Sequence, residues 1–310
     1  MESYQNENWV YKGSPFLNIG PHVQLKKYKF QKNNPVLRTS ANTFAENKEY
    51  YENLDAIFVT LEGYRFKIKE YLGYDNIVIE FIDNGYQTTT RMDKIKKGSI
   101  AYPYHPNKYN SYIGVGKYDS KGDYERIHSI WYHIFRRTNN IDNLKIYEAY
   151  KDVKVDYRWY NYQNFATWMD NYLQSLNPDF RNKYQIDKDI LQWGIEPKIY
   201  GPDTCCLVPP IINAIMSSNL KNSISSGVIK CTGCTNSFYT EIRIQKERKY
   251  LGTYKTPEEA FQVYKEAKER YIRELADYYY SINAIHKEIR DILYRIDIQP
   301  DGSEKLYTIL

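Results

Sequence analysis

Cysteine is scarce and late: Cys205, Cys206, Cys231 and Cys234 are the only four, so the first two-thirds of the 310-residue chain has none. That excludes a disulfide scaffold and leads us to expect a reducing, cytoplasmic setting. No run approaches the roughly 20 apolar residues that cross a bilayer. The opening MESYQNENWVYK is polar and acidic where a signal peptide is basic and then apolar, so neither a membrane span nor secretion is expected. Strong charge of one sign is also missing. Lys and Arg number 43 against 38 Asp and Glu, and the resulting +5 permits a polyanionic partner without demanding one. Histidine is rare, five in all, with none between His133 and His286.

Aromatic residues are abundant by contrast: 34 Tyr and 5 Trp lift the aromatic share to 16%. Tyrosine packs, hydrogen-bonds and stacks, so the excess suits a core with polar handles and also a wet binding face. Hydrophobic residues make up 42% and charged residues 26%, the composition of a folding chain, and the length favours two or three domains.

The reading is α+β and multidomain. Residues 1–50 are turn-rich and read as an irregular N-terminal arm. Over 51–103, Phe66 and Ile68, then Ile77, Ile79 and Phe81, recur every second residue, and Asn84-Gly85 predicts a type I′ hairpin, giving a small antiparallel, SH3-like β domain. Residues 104–122 read as a linker with a short strand at 112–115. Within 123–222, Ile127, Ile130, Trp131, Ile134 and Phe135 form one helical stripe closed by Arg136-Arg137, and Trp159, Tyr162, Phe165, Trp168, Met169, Tyr172 and Leu173 form another. Over 223–280, alternation in SFYTEIRI separates Phe238, Thr240 and Ile242 from Tyr239, Glu241 and Arg243, and KYLGTYK adds a further strand. Thr256-Pro257-Glu258-Glu259 then supplies an N-cap, a proline at N1 and a capping-box glutamate. Ala260, Tyr264, Ala267, Tyr271 and Leu275 continue as a buried stripe. Residues 281–310 predict an amphipathic helix through Ile285, Ile289 and Leu293, and a tail.

The C-terminal segment resembles an AP2 DNA-binding domain, three antiparallel strands laid on one helix, over about fifty residues. The resemblance is carried by Gly227-Val228, Phe238, Thr240 where alanine is usual, Ile242, Leu251-Gly252, Tyr254, and Glu259-Ala260 ahead of Tyr264. It implies that the outer sheet face enters the major groove of double-stranded DNA, with Lys230, Tyr239, Arg243, Lys246 and Arg248 as contacts. Glu241 on that face either accepts from a cytosine amine or pairs with Arg243. CTGC at 231–234 is half of a zinc ribbon, but the remaining cysteines are adjacent to each other, which disfavours zinc.

The segments IHSIWYHIFRR, VKVDYRWYNYQNFATW and YQIDKDILQWGIEPKIYGPDTCCLVPPIINAI, after KKGSIAYPYHPNKYNSYIGVGKY, resemble HNH-like homing endonucleases of tailed phages, so that with the AP2 match the likeness covers roughly 60–280. The resemblance implies a ββα nuclease centre using Mg²⁺ or Mn²⁺, with Asp187 and Asp189 as catalytic and metal-holding carboxylates, Tyr200, Thr204 and Cys205 in the turn, and Asn213 on the following helix. Two aspartates one residue apart would share a strand face. With no histidine in this segment, the general base would be an aspartate, or His105, His128 or His133 brought in by the fold. Three functions follow as expectations: an AP2-targeted HNH endonuclease of an infected bacterial cell; an inert DNA-binding regulator or DNA-associated virion component on a degenerate nuclease scaffold; and a protein-binding module with tyrosine-rich surfaces.

Overall fold

The computed structural model describes residues 43–139, 150–215, 227–231, 237–244 and 247–300, and the backbone of 304–306. The chain divides into two compact units, 1–115 and 116–310.

In the first unit, helix α1 (Phe44–Glu52) starts at a capping box: Thr43 Oγ1 accepts from the Glu46 amide and the Glu46 carboxylate accepts from the Thr43 amide at 2.8 Å. Of the arm predicted over 1–50, residues 1–42 lie outside the described residues, and the rest is helical instead, because T-x-x-E nucleates a helix whose Tyr51 stacks on Tyr71 with ring centroids 5.2 Å apart. Strands β1 (Phe58–Val59), β2 (Arg65–Tyr71), β3 (Ile77–Phe81) and β4 (Gln87–Thr90) form an antiparallel meander in sequence order. Phe66, Ile68, Ile77, Ile79 and Phe81 are all buried, as the alternation predicts.

The β3–β4 hairpin turns through four residues, not two. The Gly85 amide donates to the Phe81 carbonyl, and Gly85 takes φ +70° while Asn84 stays outside the left-handed region. Asp83 is held by Arg65 at 2.5 Å and Asn84 Oδ1 accepts from the Tyr86 amide, contacts that a type I′ turn does not provide. Helix α2 (Met92–Lys97) closes the sheet through Met92 and Ile95. The predicted linker is packed instead: Tyr104, Tyr109, Ser111 and Tyr112 are buried, and Tyr102, Tyr104 and Tyr112 join the first core.

The second unit carries both helical stripes. Helix α3 (Glu125–Thr138) buries Ile127, Trp131, Ile134 and Phe135, with Ile130 at the stripe's edge. Strand β5 (Lys154–Val155) precedes α4 (Tyr162–Gln174), which buries Tyr162, Phe165, Met169 and Leu173. Trp131 Nε1 donates to the Trp159 carbonyl at 2.7 Å and ties α3 to the turn that leads into α4. Strands β6 (Gln185–Asp187), β7 (Ile199–Tyr200) and β8 (Cys206–Val208) make two short ladders: β5 with β7, parallel, and β6 with β8, antiparallel. Helix α5 (Pro210–Ile215) follows β8 and packs on β6.

Strands β9 (Val228–Lys230), β10 (Phe238–Ile244) and β11 (Glu247–Tyr254) form an antiparallel sheet in the order β11-β10-β9, backed by α6 (Pro257–Ser281). Thr256 caps α6 by accepting from the Glu259 amide at 3.2 Å. Helix α7 (Lys287–Tyr294) and the pair β12 (Ile296–Ile298) and β13 (Glu304–Leu306) complete the chain.

The middle and C-terminal segments, expected as separate domains, share one core. Ile190, Cys206, Val208 and Ile212 pack in the same cluster as Val228, Ala260, Phe261, Ile272, Ile289 and Ile298. The reason lies in α6, which is apolar on two sides: Tyr271 and Leu275 meet Ile242 of the sheet, while Phe261, Ile272 and Ala276 join the larger cluster. Polar ties reinforce this. The Asn177 amide donates to the Asn283 carbonyl at 2.8 Å, and His286 stacks on Tyr172 and hydrogen-bonds Ser175 Oγ at 2.9 Å.

Candidate nucleic-acid interface

The register of the C-terminal sheet decides which side chains face away from α6. Directly paired residues share a face, so Phe238, Thr240 and Ile242 define the helix side and Tyr239, Glu241 and Arg243 the open side. Across β9, Ile229 pairs with Tyr239 and Lys230 pairs with Phe238. Lys230 therefore falls on the helix-side pleat, at the exposed end of β9, and Ile229 takes the open position that sequence reasoning assigned to its neighbour.

Across β11 the ladder shifts between Thr240 and Glu241, which pair with Gly252 and Tyr250 and leave Leu251 as the extra residue of a β-bulge. Gly252 has φ +134°, a conformation an L side chain rarely adopts. The bulge decides the chemistry of the face. Unshifted pairing would set Leu251 opposite Glu241 and send Tyr250 to the helix side. With the bulge, Leu251 packs against the core behind the sheet, Tyr250 stands 62% exposed on the open side, and Arg248 lies opposite Arg243. Leu251-Gly252 in the sequence was the available signal.

The open face thus forms three rows: Ile229–Tyr239–Thr253, then Glu241–Tyr250, then Arg243–Arg248. The Tyr239 and Tyr250 rings are 6.4 Å apart, and the Tyr250 hydroxyl bonds to Thr253 Oγ1. Glu241 pairs with Arg248 at 3.3 Å rather than with Arg243. Arg243 is exposed and has no ion-pair partner among the described residues. Like charges directly opposite one another on a sheet destabilise it, so the Arg243–Arg248 row favours an anion above it. Lys246 lies outside the described residues.

The residues expected to hold a metal are separated by their local structure. Strand β6 ends at Asp187, so Asp187 and Asp189 do not share a strand face. Asp187 is buried and its Oδ1 accepts from the amides of Asp189 and Ile190, both at 2.8 Å, making it the cap of the following turn. Burial pushes its carboxyl above the usual carboxylate range, against the pull of those amides. Asp189 is exposed and chelates the Lys188 ammonium at 2.8 Å, and Asn213 Nδ2 donates to Gln185 Oε1 at 2.9 Å, clamping α5 to β6.

Around them the loop is held by Gln192, which sequence reasoning missed. Its Nε2 donates to the carbonyls of Lys188 and Ile199 at 2.6 and 2.8 Å, and its Oε1 accepts from the Ile199 amide. Arg137 lies over the rings of Tyr150 and Tyr200. Tyr200 and Cys205 are buried; burial raises the tyrosine and pushes the Cys205 thiol up to about 12. Thr204 Oγ1 donates to the Ile199 carbonyl at 2.8 Å. The candidate bases are also engaged or remote in role: His105 bonds the Tyr64 hydroxyl in the first unit, His128 sits against Trp131 and Tyr162, and His133 is exposed on α3.

Among the described residues no group of three or more His, Cys, Asp or Glu is gathered to hold a metal ion. A divalent cation needs several oxygens converging on one point. Here one carboxylate is taken up in capping a turn, and the other is paired with a lysine. This donor set does not fit Mg²⁺ or Mn²⁺. No helix among the described residues is long and apolar enough to cross a membrane.

No family model matches the chain, and neither the curated proteins nor the solved structures contain a match.

Proposed function

We propose that this protein binds double-stranded DNA through the open face of the β9–β11 sheet, laid in the major groove, and that it acts as a DNA-binding regulator or DNA-associated component without cleaving its target. The observation that carries this reading is the Arg243–Arg248 row: two guanidiniums face each other in register on a sheet whose opposite side is filled by α6, with one carboxylate beside them. A two-stranded β-ribbon fits the major groove, and arginine is the commonest reader of guanine there. The resemblance to phage proteins points to an infected bacterial cell as the setting.

The test is the affinity of the full chain for a labelled duplex with a randomised core. The Arg243→Ala/Arg248→Ala double variant should lose roughly tenfold to several hundredfold, the range for bidentate base contacts. Unchanged affinity overturns the assignment of this face.

A second reading, metal-dependent phosphodiester cleavage, is favoured by one observation: the antiparallel pair β6/β8 followed by α5 packed on β6 has the order of a ββα nuclease element. Against it stands the donor set described above. Plasmid nicking with Mg²⁺ or Mn²⁺ that is lost in Asp187→Asn would reinstate it.

A further inference from the structure

The open sheet face is graded. At one end Ile229, Tyr239 and Thr253 make an apolar row across all three strands, extended by the Tyr250 ring; at the other lie the arginines. The polar ends of Tyr250 and Thr253 are bonded to each other, so this end offers a partner ring and methyl surface beside the Tyr239 hydroxyl. A purely electrostatic DNA clamp has no use for such a strip, because phosphates and sugars do not reward apolar contact. In the major groove the exposed apolar group is the 5-methyl of thymine.

We infer that the Ile229–Tyr239–Tyr250–Thr253 strip reads thymine methyl groups, and that the arginine row reads or anchors the target at a fixed distance from them. The inference rests on the DNA-binding reading of the same face and adds its sequence preference. Tyr239 and Arg243 are four residues apart on β10, about 13 Å at strand rise, which is close to four base-pair steps. With β10 aligned along the DNA axis, the target carries thymine on one side and, roughly four base pairs away, the step held by the arginines. Glu241, bonded to Arg248 between the two ends, fixes one guanidinium and leaves Arg243 free to adapt.

The experiment selects binders from a duplex pool with a randomised core using the full chain, then resynthesises the recovered sequences with deoxyuridine in place of thymine, one position at a time. This removes only the methyl group and leaves base pairing and charge intact. Each contacted methyl should be worth about fourfold in affinity, the value of one buried methylene. Tyr239→Ser/Tyr250→Ser should bind the thymine and deoxyuridine duplexes equally. The wild-type comparison stands without any variant, so a folding defect in the double variant does not blunt the test. Recovered sequences that lack thymine, or that bind equally well after substitution, overturn the inference while leaving DNA binding intact. Failure to recover any DNA overturns the DNA-binding reading and this inference with it.

Discussion

Replacing Gly252 with alanine tests whether the bulge in β11 sets the open face. Two costs can be worked from the structure. Holding a non-glycine residue at φ +134° costs about 1–3 kcal/mol. The new Cβ would stand 2.7 Å from the Tyr254 hydroxyl, which must move and give up its 3.0 Å hydrogen bond to the Leu251 carbonyl, a further loss of about 1 kcal/mol. The unit 116–310 should therefore lose about 2–4 kcal/mol, a large part of the stability of a typical domain. Urea unfolding followed by tryptophan fluorescence is dominated by this unit, because Trp131, Trp159, Trp168 and Trp193, four of the five tryptophans, lie in it. The alternative open to the variant is to lose the bulge. A one-residue slip turns Tyr250 to the helix side and Leu251 outward, and ends the Arg243–Arg248 pairing. Either outcome lowers DNA affinity. A variant within about 0.5 kcal/mol of wild type, with unchanged affinity, would show that the bulge does not set this face.

Three further outcomes follow from the geometry. Gly227→Ala places a Cβ 2.2 Å from the Tyr264 ring at φ +71°, so thermal unfolding should show a loss of about 2–4 kcal/mol; a neutral result would mean the ring is not seated there. Asp187→Ala leaves the buried Ile190 amide and the part-buried Asp189 amide without their acceptor and should cost about 1–3 kcal/mol, whereas Asp187→Asn keeps an acceptor and should be at least as stable as wild type at neutral pH. The sign follows from linkage. A carboxyl raised in the folded state contributes stability that is present below the ordinary carboxylate range and lost as pH rises through the raised value, so the advantage of the Asp187→Asn variant should grow across that window in thermal melts at stepped pH. An advantage that shrinks with rising pH contradicts the upward shift of this carboxyl.

Periodicity exposed the helices because α3 and α4 each turn one apolar stripe into the core, so Trp131 and Phe165 are buried where the spacing puts them. It failed where a side chain's role depends on a distant partner. Asp187 and Asp189 read as a strand pair, yet the amides of Asp189 and Ile190 claim the first, and Lys188 claims the second. Tyr104 and Tyr112 sit among turn formers and so read as linker, although their rings, 5.9 Å apart, belong to the first core. The open face was half legible. Tyr239 and Arg243 follow from strict alternation along β10, but Tyr250 and Arg248 reach the same face only through a bulge that alternation cannot encode, and Ile229 only through the register of β9. The extent of the domains was hidden for a related reason: α6 looks like one stripe from Ala260 to Leu275, while Phe261, Ile272 and Ala276 form a second that fastens the sheet to the middle segment.

Site-specific photo-crosslinking reads directly whether DNA lies on the open side of the β9–β11 sheet. A photoreactive side chain is placed at Tyr250, exposed on that face, and in a separate protein at Arg270, exposed on α6 behind the sheet. Irradiation with bound duplex DNA should yield a covalent adduct from position 250 and none from position 270. Adducts from position 270 with none from position 250 would put the DNA behind the sheet and end the proposal that its open face is the reader.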